Sequence, residues 1–138
     1  MRRAVVAIPT PALAVTLALL LAAPAPAQPM TPDEFAAFAT GRTLDYAVDG
    51  KVLGSEAYFP DRSVRDADTS GPCRAGVWYP DGPAVCFVYD GSDQRHCWLY
   101  WREHDKVLAK PRLAGPDDPA QTVTPSANPL SCAPEVGV

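Results

Sequence analysis

The sequence is poor in the residues on which cofactor chemistry and nucleic-acid binding usually depend. Lysine and arginine total 12 against 16 acids, for a formal net charge of −4. Phosphate backbones are held by clustered cations, and here Arg95, Arg102, Lys106, Lys110 and Arg112 are scattered among acids, so no nucleic-acid partner is expected. No G-x-G-x-x-G and no phosphate-binding P-loop occurs, which removes support for a dinucleotide- or ATP-dependent enzyme; the expected cofactor is none. No G-x-S-x-G is present, so a nucleophile elbow has no carrier. The only histidines are His96 and His104, and the four cysteines lack C-x-x-C spacing, so no metal site is expected. What the sequence does hold is 16 prolines, three tryptophans, five tyrosines and four phenylalanines. That much proline argues against a helical bundle, because an internal proline removes a helix hydrogen bond and clashes with the turn before it.

Two different polymers are joined in the chain. Residues 1–27 read as a secretory signal peptide: Met1, Arg2 and Arg3 form the positive end, Ala4 to Ala23 the apolar stretch, and Ala25-Pro26-Ala27 an A-x-A cleavage site. Its removal leaves a more acidic chain with all four cysteines and no membrane span, expected in the periplasm or secreted. Residues 28–110 read as a helix plus β domain, and residues 111–138 as a proline-rich segment held to it by a disulfide.

Thr31-Pro32-Asp33-Glu34 is a helix start: threonine caps, proline fits the first turn, and glutamate completes a capping box. Phe35 and Phe38 then share a face until Gly41, which predicts a helix over 32–40 whose phenylalanines cover the end of a sheet. Short apolar runs follow, at 43–48 and 51–58 across the hairpin signal Asp49-Gly50, then a polar run at 62–67 suited to an edge strand. Further runs lie at 74–79, 84–89, 94–102 and 107–110, with turn residues between them. The fold class is mainly β: an antiparallel meander or small, partly closed barrel with a short N-terminal helix, stapled by disulfides.

The hairpin over 84–102 fixes its own register. With Asp90 to Asp93 as the loop, Cys86 falls opposite Cys97, where a bridge can form, and Cys73 is left for Cys132. Other connectivities remain open at this point. The same register puts Val85, Phe87, Tyr89, Gln94, His96, Trp98 and Tyr100 on one face, and Ala84, Cys86, Val88, Arg95, Cys97, Leu99 and Trp101 on the other. Both faces are largely apolar, so each must be covered, or one must be a binding surface. His96 is expected to stack on Phe87.

Thr40-Gly41-Arg42-Thr43-Leu44, Gly54-Ser55-Glu56-Ala57-Tyr58-Phe59-Pro60, Gly76-Val77-Trp78-Tyr79, Cys86-Phe87-Val88-Tyr89 and His96-Cys97-Trp98 complete a pattern begun by the helix start. Together they resemble a group of small exported alphaproteobacterial proteins with no established activity. The resemblance implies export and a shared disulfide-stapled β fold over nearly the whole mature chain. Where members of the group often carry Pro-Gly-Arg, this chain has Pro60-Asp61-Arg62.

Glu56 and Arg62 bracket the Phe59-Pro60 turn and are expected to pair across it, as a structural salt bridge or as part of a polar ligand site. Asp66, Asp68, Ser70 and Gly71 match the first half of a calcium loop, but Val77 stands where a bidentate glutamate is required and Pro72 interrupts; a solvated turn is expected. The function expected from these features is binding without catalysis, through Phe87, Tyr89, His96, Trp98 and Tyr100 with Glu56 and Arg62, of a small ligand, a glycan or a protein. The alternatives are a cell-wall-directed hydrolase with Glu56 as acid or base, and a purely structural periplasmic protein.

Overall fold

The computed structural model describes residues 25, 27–68 and 71–132. The signal-peptide reading of residues 1–27 therefore lies almost wholly outside the described residues, as do Thr69 and Ser70 of the calcium-like stretch.

One helix and eight strands follow in order: α1 (Pro32–Ala39), β1 (Thr43–Val48), β2 (Lys51–Tyr58), β3 (Ser63–Asp68), β4 (Arg74–Asp81), β5 (Ala84–Tyr89), β6 (Arg95–Glu103), β7 (Lys106–Pro111) and β8 (Gln121–Pro125). Each strand pairs antiparallel with the next, and β1 also pairs with β8, from Leu44↔Pro125 to Ala47↔Thr122, so the sheet is a closed barrel. Gln121–Pro125, part of the stretch read from sequence as an extended proline-rich segment, is the closing strand. β3 is not an edge: it is hydrogen-bonded to β2 on one side and β4 on the other.

Local chemistry accounts for the elements. The Thr31 side chain accepts from the Glu34 backbone N–H at 3.2 Å while the Glu34 carboxylate accepts from the Thr31 N–H at 2.7 Å, the reciprocal capping box. Asp49 and Gly50 both take positive φ, 49° and 78°, as a tight two-residue hairpin requires. Between β5 and β6 the register sets Cys86 against Cys97, and a disulfide joins them. The second disulfide joins Cys73 to Cys132.

Closure sends alternate residues inward. Leu44, Tyr58, Val64, Trp78, Val85, Phe87, Tyr100, Val107, Ala109 and Val123 form the core with the helix residues Phe35 and Ala39. The helix lies at the end of the barrel where β1, β3, β5 and β7 begin, and Phe35 is its plug. Fully buried, the Phe35 ring stands edge-on to Tyr58 and Trp78, with both centroids at 5.5 Å, and tilts against Tyr100 at 4.4 Å. Upstream, the Met30 N–H donates to the Tyr100 carbonyl at 2.6 Å, which ties the segment before the helix to β6.

Truncating this plug tests whether the helix is integral to the barrel. Phe35→Ala is expected to cost about 3–5 kcal/mol in denaturant unfolding and more than about 10 °C in Tm. A loss under about 1 kcal/mol would mean that the helix end tolerates an empty plug position.

Candidate functional site

The end of the barrel away from the helix is open. A cavity of about 340 Å³ enters there, walled by Phe87 and Tyr89 of β5, His96, Trp98 and Tyr100 of β6 and Tyr46 of β1, with Leu53, Asp68 and Gln121 also lining it. The five residues from β5 and β6 are one face of that hairpin, curled inward by closure. Phe87 and Tyr100 are each 2% exposed, Trp98 is half-buried and His96 is exposed.

Two glycines set the shape of the wall. Gly76 stands opposite Tyr89 in the β4–β5 register, and a Cβ there would lie 2.5 Å from the Val88 carbonyl oxygen and 2.8 Å from the Tyr89 ring. Its absence lets the Tyr89 ring lie across β4. Gly54 lets β2 approach β3, since its Cβ would lie 2.9 Å from the Ala67 carbonyl oxygen.

Glu56 of β2 points inward and is 5% exposed. Its two carboxylate oxygens accept hydrogen bonds from the Tyr58 hydroxyl at 2.7 Å and the Tyr89 hydroxyl at 2.8 Å. The chain of hydroxyls continues: Tyr46 lies 2.5 Å from Tyr58 and 3.0 Å from Tyr100. No buried side-chain polar atom among the described residues is left without a partner. Burial pushes the Glu56 carboxyl up to about 7, against the opposing pull of the Tyr58 and Tyr89 hydrogen bonds. Burial likewise holds the hydroxyls of Tyr46, Tyr58, Tyr89 and Tyr100 protonated far above the usual phenol range.

At the rim, Arg74 of β4 donates through Nε to Asp66 Oδ2 at 3.1 Å and through Nη2 to the same oxygen, and its guanidinium lies 4.6 Å from the Tyr89 ring centroid. That pairing occupies the first acid of the calcium-like stretch.

Of the residues singled out from sequence, Glu56, Phe87, Tyr89, His96, Trp98 and Tyr100 line this one cavity. Arg62 does not. It takes a left-handed φ of 66° in the turn before β3, accepts from the Trp78 N–H at 3.0 Å, and sets its guanidinium 4.7 Å from the Trp78 ring centroid. The expected Glu56–Arg62 ion pair does not form, because Glu56 faces the interior while Arg62 lies outside the cavity lining; tyrosine hydroxyls take the place of the guanidinium. His96 faces Phe87 across the strand pair, but its ring contact is a tilted one with Tyr89 at 6.1 Å rather than a stack on Phe87.

No family model, curated protein or solved structure matches the chain.

Tyr46, Tyr58, Asp66 and Arg74 belong to the site without having been assigned to it from sequence. Tyr58 was within reach, since it sits two residues from Glu56 and shares its face of β2. Tyr46 is likewise two residues from the inward Leu44. Arg74 carried no signal, because its place over Tyr89 depends on the Gly76 opening.

The raised carboxyl makes folding sensitive to pH. An unfolded glutamate ionises near 4.5 and the folded Glu56 near 7, so between these values the unfolded chain has lost a proton that the folded chain keeps. Stability is accordingly expected to fall as pH rises through that window, by about 3 kcal/mol at most. Urea unfolding at pH 5 and pH 8 measures it, and Glu56→Gln is expected to remove most of the difference. Parallel profiles for the two proteins would place the titrating group elsewhere.

Proposed function

We propose that this chain is an exported binding protein that takes a small ligand into the open end of its barrel. One observation carries the reading: a carboxyl group is buried on the wall of an aromatic cavity that remains open, at a cost in solvation that a purely structural core avoids with an apolar side chain. The cavity volume lies at the small end of known ligand sites, roughly 300–1,000 Å³. An eight-stranded barrel has an interior just wide enough to be filled by side chains or to hold one small ligand, and here the helix end is filled and the far end is not. Export is supported by the leader-like residues 1–27 and by the two disulfides, which persist in oxidising compartments. The resemblance to small exported alphaproteobacterial proteins points the same way.

A hydrolase that uses Glu56 as acid or base draws on the same carboxyl, whose pKa near neutrality suits proton transfer. Its geometry favours binding instead. Both Glu56 oxygens are held by tyrosine hydroxyls, and Asp66, one of the two other lining carboxylates, is engaged by Arg74.

The neutral fluorophore N-phenyl-1-naphthylamine probes the cavity directly. Saturable one-site binding is expected, weakened about tenfold by Trp98→Ala with little change in Tm, since Trp98 is half-buried at the mouth. Absence of binding, or equal binding by the variant, would remove the cavity as the site.

A further inference from the structure

The charges and rings of the cavity narrow the ligand class. Three carboxylates line it, Glu56, Asp66 and Asp68, against one cation, Arg74. That cation is already committed, paired with Asp66 and lying over the Tyr89 ring. Among the described residues, neither Glu56 nor Asp68 forms a close ion pair with a residue that lines the cavity, and the Arg74 charge reaches both only at longer range. The remaining wall is aromatic: Phe87, Tyr89, Trp98, Tyr100 and Tyr46. Aromatic faces carry negative quadrupole charge and attract cations, most strongly where water is excluded, and the guanidinium over Tyr89 is an instance at the exposed rim of this site.

Resting on the binding reading above, we propose that the ligand is an organic cation, an amine or ammonium group seated among these rings against Glu56. An anion would meet three acids against one arginine that already has a partner. A neutral apolar ligand would gain the contact of the rings but offer the Glu56 carboxyl nothing. An N–H donor adds a hydrogen bond to that contact, because each Glu56 oxygen accepts one tyrosine hydroxyl and keeps a further lone pair.

The binding should then depend on pH. A cationic ligand favours ionised Glu56, so affinity rises as pH climbs through about 7 and a proton is released on binding. The groups around Glu56 are Tyr58 on its own strand, Tyr46 on β1, Asp66 on β3, Arg74 on β4, Tyr89 on β5 and Tyr100 on β6. The four tyrosines stay protonated across this range. His96 lies at the mouth of the same cavity, and its own variant separates any contribution it makes.

Titration calorimetry of the disulfide-bonded protein with 2-phenylethylamine and its neutral counterpart 2-phenylethanol, at pH 6 and pH 8, tests the proposal. The amine is expected to bind at least about tenfold tighter than the alcohol at pH 8, and to gain about five- to tenfold from pH 6 to pH 8 while the alcohol gains nothing. Glu56→Gln should abolish both differences and His96→Asn should keep them. If Glu56→Gln does not fold, the amine–alcohol comparison and its pH dependence in the unaltered protein decide. Equal binding of amine and alcohol overturns the cation and leaves the binding reading standing. Binding of neither overturns the cation, and the naphthylamine titration then shows whether the binding reading falls with it.

Discussion

Hydrogen bonding between β1 and β8 joins two strands that lie almost at opposite ends of the described chain, and it removes both edges of what would otherwise be an open meander. Once the sheet is closed, each strand has an inside and an outside, and a one-residue slip anywhere would exchange them. The aromatic face of the β5–β6 hairpin then has only one place to go. In an open sheet Phe87, Tyr89, Trp98 and Tyr100 would need a cover; in the barrel they are the interior. The eight-strand circumference leaves more room than these side chains fill. At one end α1 supplies the missing volume with Phe35, and at the other the space persists as the cavity.

What could be read from the sequence follows the distance over which each feature is decided. The capping box and the Asp49-Gly50 turn depend on residues a few positions apart and the Cys86–Cys97 opposition on residues 11 apart, and the structure holds each of them as the local chemistry dictates. β8 escaped because the prolines around it, Pro116, Pro119, Pro125 and Pro129, dominate the composition of a stretch in which Thr122-Val123-Thr124 still alternates as a strand does. The polar β3 looks like an edge because edges are polar, yet the outer face of a closed barrel is equally wet. Arg62 was linked to Glu56 by closeness along the chain. Strand alternation and the turn send them apart, and the hydroxyl donors that replace it come from β2 and, across the barrel, from β5.

Tyrosine is a different partner from arginine for a buried acid. An arginine would hold the carboxylate ionised and well below its usual range, fixing the charge at every physiological pH. Two phenol hydroxyls satisfy the same oxygens without supplying a countercharge, so the desolvation cost is only partly offset and the carboxyl titrates near neutrality. The hydroxyl chain from Tyr100 through Tyr46 to Tyr58 orients that donation, each phenol rigid in a core of rings. A group held this way stays polar and satisfied, with a further lone pair on each oxygen.

The cross-links stand where such a site needs stiffness. Cys86–Cys97 joins β5 to β6 on their outer face, and these two strands supply Phe87, Tyr89, His96, Trp98 and Tyr100 on the inner one. Cys73 immediately precedes Arg74, so its bond to Cys132 anchors the chain just before the guanidinium that lies over Tyr89. The helix end has no disulfide among the described residues and relies on packing around Phe35, where close-packed aromatics already fix the geometry. The open end has no such filling and loses the cohesion that filling brings. Covalent restraint of the strands around it keeps the rings apart and in place where packing does not.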